Sequence, residues 1–135
     1  MAKICVEAAA QAYREGVGVT VIDPRWVKPL PQSLLTMAQR YKSVVVVEDG
    51  IRHGGIASTI SEMFRDAELE VPIHSIGVPL EFIEHSKRSE ILADLGITSQ
   101  NITHQLVSWS SSLKEDLNNG ITQVKQHQRD ESADL

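Results

Sequence analysis

A single cysteine, Cys5, stands among 135 residues, so no internal disulfide can form. A reduced, cytoplasmic setting fits that usage. Basic residues are also few: 13 Lys and Arg against 18 Asp and Glu give a formal charge of −5. That balance offers no electrostatic footprint for nucleic acid and no basic cluster for an anionic membrane. Apolar runs never exceed a few residues, which excludes a membrane-spanning helix. No charged-then-apolar leader opens the sequence. The P-loop pattern, Gly-x-Gly-x-x-Gly and the Gly-x-Ser-x-Gly elbow are missing as well. The five histidines, at positions 53, 74, 85, 104 and 127, show no metal-ligand spacing.

What is present has the length and apolar content of one globular domain. The organising stretch is residues 43–58. Val44, Val45, Val46 and Val47 form an apolar run without alternation, as a strand covered on both faces would. Glu48, Asp49 and Gly50 follow at once, then Gly54 and Gly55, then an amphipathic run. Strand, acidic edge, glycine turn and helix make the kind of junction at which open α/β sheets place ligands.

Around it the chain alternates. Residues 2–15 read as a helix with Ile4, Ala8, Ala9, Ala12 and Tyr13 on one face and Gly16 as its stop. Cys5 reads there as a small packing residue. Residues 17–23 read as a β-branched strand. Pro24, Pro29 and Pro31 then stiffen a loop whose Trp26, Val27 and Leu30 are expected to pack on something. A helix to about Tyr41 precedes the valine strand. The next helix should turn Ile56, Ile60, Met63, Phe64 and Ala67 inward. A further strand spans 73–77 and leaves through Val78-Pro79. Ser86 is expected to cap a short helix ended by Gly96. Ile102, Leu106, Trp109 and Leu113 mark one face of the last helix. Residues 1–113 make up the domain on this reading, and 114–135 form a polar, disordered tail.

Three groups invite a chemical reading. Glu48 and Asp49 could act as a pair, but successive strand residues face opposite ways, so they read as solvated residues closing a strand. A receiver-type phosphoacceptor, with Asp23 as acidic partner, would need a lysine at the end of the later strand, which has none. Gly54-Gly55 could cradle a phosphate at a helix start, yet a tight turn that lets helix approach strand is the better account. His85 reads as a satisfied buried or interface histidine. No catalytic, cofactor-binding or metal-binding residue is assigned.

Four blocks occur in order: Val21-Ile22-Asp23-Pro24-Arg25-Trp26-Val27-Lys28-Pro29-Leu30, Val46-Val47-Glu48-Asp49-Gly50, Gly54-Gly55-Ile56-Ala57-Ser58, and Gly77-Val78-Pro79-Leu80-Glu81-Phe82-Ile83-Glu84-His85. Together they resemble the C-terminal domain of the transketolase family. The Phe82-Ile83-Glu84-His85 phrase and the ending Leu95-Gly96-Ile97 lean toward its 1-deoxy-D-xylulose-5-phosphate synthase branch. Pro31, Leu80, Ser86 and Asp49 depart from the family's usual residues. The resemblance implies a three-layer α/β/α domain with a five-stranded, mostly parallel sheet. It implies that two strands normally precede the first helix; both are absent here, which would leave the valine strand with an open apolar edge. It also implies a homodimeric parent enzyme that condenses pyruvate with glyceraldehyde 3-phosphate, using thiamine diphosphate and Mg2+ held by N-terminal domains. This domain would then serve dimerisation and domain packing and be inactive alone. The alternatives are a 2-oxoacid dehydrogenase β-type subunit and a stand-alone, non-enzymatic binding or regulatory module.

Overall fold

The computed structural model describes the backbone of residues 1–133 and the side chains of residues 1–119. Helix α1 (Ala2–Arg14) is followed by a long connection to α2 (Ser33–Ala38) and strand β1 (Val44–Ile51). Then come α3 (Ile56–Asp66), β2 (Ile73–Val78), α4 (Arg88–Asp94) and α5 (Ser99–Ala133). β1 and β2 pair in parallel, with Val44 opposite Ile73 and Val47 opposite Ile76. Parallel neighbours need a crossover, and α3 supplies it, lying against both strands.

The period of two divides the valines between faces. Val45 and Val47 join Ile76 and Val78 in the main core with Ala8, Leu92, Ile97 and Ile102. Val46 points to the opposite face and is buried, as are Ala57 and Phe64 of α3. Helices α1, α4 and α5 thus cover one face and α3 the other: a three-layer α/β/α arrangement.

The α1–α5 contact is close because it is made of small residues. Ala8 and Ala12 are fully buried, and the Thr103 hydroxyl lies 3.2 Å from the Ala8 carbonyl. The same hydroxyl is 2.7 Å from the Ser99 carbonyl and 3.0 Å from Gln11 Oε1. It has one proton to donate. Its own turn of helix is the shortest acceptor, and the Gln11 amide, rotated to present its NH2, completes the buried site from α1. Thr98 begins α5 by accepting the Asn101 N–H on its Oγ1 at 3.3 Å.

Several expectations change, among them the cap of α4, which is Lys87 and not Ser86. Residues 17–23 have no ladder partner among the described residues, since the sheet has two strands. Strand propensity is a side-chain preference, whereas a ladder requires a neighbour within hydrogen-bond reach. Of the five strands of the implied family sheet, the two that precede the first helix are absent as expected, and of the three expected in this chain two form among the described residues, where β1 is paired on one side only. Tyr13 and Trp26, expected to pack, are 76% and 67% exposed, and Val27 and Ala67 are exposed too. Tyr13 sits one residue past the buried Ala12, about 100° around the helix, and so leaves the α5 contact. The expected tail begins inside α5, whose backbone continues helical to Ala133. No proline interrupts it, and beyond Leu113 the described side chains are exposed.

Deleting a side chain from the main core should cost far more than deleting one elsewhere. Ile102→Ala is expected to lower stability by about 2–5 kcal/mol, read from urea unfolding followed by circular dichroism.

Candidate functional site

The βα junction from β1 to α3 is where sequence and geometry concentrate. β1 takes four steps from Val47 to Ile51 where β2 takes two from Ile76 to Val78. Such an irregularity re-aims side chains. Glu48 and Asp49 accordingly leave in different directions, as their succession on a strand implies.

Glu48 turns toward the start of α3. Gly55, the residue ahead of that helix, has no side chain with which to cap it. The Glu48 carboxylate caps it instead, with Oε2 accepting the Ile56 backbone N–H at 3.0 Å. A negative charge at a helix N-terminus is favourable, by about 0.3–1 kcal/mol and up to ~2 when partly buried. Two glycines make room for it. A Cβ on Gly55 would sit 2.2 Å from Oε2, and one on Gly77 would meet Cγ at 3.0 Å. Gly55 has φ −79° and ψ −165°, an extended conformation open to any residue. Contact with Glu48, not backbone strain, is therefore what a side chain there would disturb, by pushing the carboxylate from its place at the helix start. Gly54, at φ +73°, meets the separate demand of the left-handed turn. Glu48 Oε1 is buried without a hydrogen-bond partner among the described residues.

Glu48 is therefore not a solvated strand end, which corrects the sequence reading. The signal that could have found it was a helix start lacking Ser, Thr, Asp or Asn at the cap position, with a carboxylate waiting at the end of the preceding strand. Asp49 does stand in solvent, where Oδ2 accepts Nε–H of Arg88 at 2.8 Å and is also paired with Nη2. Both side chains are substantially exposed, so the pair adds at most about 1 kcal/mol. Its geometric effect is larger: it ties the end of β1 to the start of α4. Asp23 accepts the Arg25 N–H at 3.1 Å within its own turn. It forms no acidic cluster with Asp49, and among the described residues no three His, Cys, Asp or Glu side chains gather to hold a metal.

The histidines scatter. His53, His85 and His104 are exposed, so His85 is not the buried histidine considered from sequence. His127 lies outside the residues whose side chains are described. His74 alone is engaged: its ring stacks on Trp109 with centroids 4.1 Å apart and planes 8° from parallel. This joins β2 to α5. Burial pushes its pKa below the ordinary 6.5. Burial likewise pushes the Cys5 thiol up, with the nearby N-terminal ammonium opposing. The thiol stays protonated at neutral pH, as a packing residue should.

Residues 1–102 match the family model described as transketolase, C-terminal domain. The chain belongs to that family. Among curated proteins it is similar to 1-deoxy-D-xylulose-5-phosphate synthase of Mycobacterium sp. (strain KMS), 44% identical over 112 residues, which cover 83% of this chain and 18% of that protein. The synthase of Rhodococcus jostii (strain RHA1) is 39% identical over 133 residues, covering 96% of this chain and 20% of its own length. The chain thus spans about a fifth of the length of these relatives. A solved split-gene transketolase, described as an inactive beta4 tetramer, superposes with a TM-score of 0.73 at 26% identity, covering 84% of this chain and 37% of that one. Among the described residues, no helix is long and apolar enough to cross a membrane.

The resemblance implies thiamine diphosphate, and the chemistry of the junction decides whether it fits that cofactor. A diphosphate at the start of α3 would need the helix's free N–H groups. The Glu48 carboxylate already occupies that position, and its charge would repel a second anion. The junction does not fit the cofactor.

Two measurements check this site. Gly55→Ala should cost about 1–3 kcal/mol through overpacking, and most of that cost should disappear in a Glu48→Ala background, as a double-mutant cycle of urea midpoints would show. The stack should also make stability pH-dependent. Between the lowered folded pKa of His74 and 6.5, the unfolded chain binds more protons, so its contribution is full above about pH 6.5 and falls as pH drops through the folded value. His74→Gln should flatten the slope of unfolding free energy between pH 7.5 and pH 5, relative to the unsubstituted chain.

Proposed function

We propose that this chain is the C-terminal domain of a 1-deoxy-D-xylulose-5-phosphate synthase, which condenses pyruvate with glyceraldehyde 3-phosphate and releases carbon dioxide. The observation that carries the reading is the 39% identity to the Rhodococcus jostii synthase across 96% of this chain. In this reading thiamine diphosphate and Mg2+ are held by other domains of the enzyme, and homodimerisation buries part of this domain's surface. The product feeds isoprenoid, thiamine and pyridoxal synthesis.

The role of the domain follows from how its polar groups are used. Glu48 caps α3, Asp49 holds Arg88, Thr103 meets Gln11 across the α1–α5 contact, and His74 stacks on Trp109. Each is committed to holding elements together. The domain serves packing and assembly and contributes no group to the chemistry.

The test is replacement. A chimera of the Mycobacterium sp. (strain KMS) synthase, with this domain in place of its own C-terminal domain, should elute as a dimer. It should also release carbon dioxide from pyruvate only when glyceraldehyde 3-phosphate is supplied. Calorimetric titration of the free chain with thiamine diphosphate and Mg2+ should show no binding. An inactive chimera that is folded and dimeric, or micromolar binding by the free chain, would count against the assignment.

A further inference from the structure

The loop between β2 and α4 carries the most exposed large apolar side chain among the described residues. Phe82 is 93% exposed and Leu80 73%, while Ile51, on the strand residue paired with Val78, is 48% exposed. Isolated apolar residues on a surface are ordinary. This loop differs in being held. Its entry is fixed by β2, whose Val78 carbonyl accepts the Arg52 N–H at 2.8 Å, and by Pro79. At its exit, the Glu90 carboxylate accepts the Lys87 N–H at 3.3 Å and the Ser86 hydroxyl, while Arg88 is bound to Asp49 across the edge of the sheet. A flexible loop could fold its Phe against the domain; one pinned at both ends presents it outward.

The charges beside Phe82 define what it fits. Glu81 and Glu84 flank it, both exposed and neither with a partner among the described residues. Residues 80–84 contain no lysine or arginine; the basic residues at the loop's exit are Lys87 and Arg88, and Arg88 is already neutralised by Asp49. An aromatic anchor between two free carboxylates is complementary to an apolar pocket rimmed by Arg or Lys. We propose that residues 80–84 form the docking surface of this domain. Its partner is such a pocket on the thiamine-binding portion of the parent enzyme, with Phe82 as anchor and Glu81 and Glu84 setting register. Holding the loop beforehand lowers the ordering cost of docking, so a small surface suffices. The proposal rests on the functional reading above and names the surface that reading requires.

Amide hydrogen exchange compares the loop in the free chain and in the synthase chimera. Residues 80–84 should exchange at least about tenfold more slowly in the chimera, consistent with burial of one large aromatic anchor. Phe82→Ser in the chimera should restore the free-chain rate, and so should the double change Glu81→Lys with Glu84→Lys. Neither should shift the unfolding midpoint of the free chain, which separates docking from folding. Equal exchange in free chain and active chimera would overturn the proposal. So would protection that rises with concentration in the free chain, since the occupant would then be a second copy. If Phe82→Ser undocks the loop while the charge reversal does not, the basic rim is wrong and the proposed partner falls. Failure of the unsubstituted chimera to turn over, with the loop still protected, would instead count against the functional reading and leave the docking surface standing.

Discussion

One carboxylate decides what the centre of this domain can be. By occupying the start of α3, Glu48 converts a potential anion site into an internal joint between strand and helix. The same dipole that would attract a phosphate is satisfied from within, and the crossover that makes β1 and β2 parallel neighbours is fixed at its first turn. Everything downstream depends on that angle. α3 can lie across both strands, Val46 and Phe64 can be covered, and the opposite face is left for α1, α4 and α5.

Around this joint, polar groups do the work of alignment and apolar groups do the work of holding. The Thr103–Gln11 contact and the Asp49–Arg88 pair each fix one junction between elements, and Glu90 closes the start of α4. Their individual contributions are small, and the exposed pair among them least of all. Stability rests on the cluster built around Ile76, Ile97 and Ile102, while orientation rests on hydrogen bonds. A domain organised in this way suits a role in which surfaces must be presented at set angles to other parts of a larger protein.

Much of this was legible from residues alone. The valine run, the glycine turn, the 3.6-residue recurrence of Ile102, Leu106 and Trp109, and the glycine stop at position 96 all express local preferences that tertiary context left intact. The four sequence blocks carried the family, because their order and spacing are a property of the whole chain. What was not legible depended on neighbours. Residues 17–23 have a strand's composition, but the ladder needs a second backbone that composition does not reveal. Trp26 and Tyr13 look like core residues by type, yet burial is decided by which side of an element faces a partner. Glu48 was misread as solvent-facing because its role depends on a helix eight residues later and on a glycine in another strand.

That dependence has an evolutionary side. Gly55 is bare where the Glu48 carboxylate needs the space, and Gly77 is bare where the Glu48 stem and the Gly50 carbonyl both crowd it. None of the three can change alone without either a clash or an uncapped helix. Sequences descending from this one should therefore keep Glu48 and Gly55 together or lose them together. A lineage that exchanged Glu48 for a small residue would be free, for the first time, to fill position 55, and would reopen the helix end to a ligand, while position 77 would stay crowded by the Gly50 carbonyl.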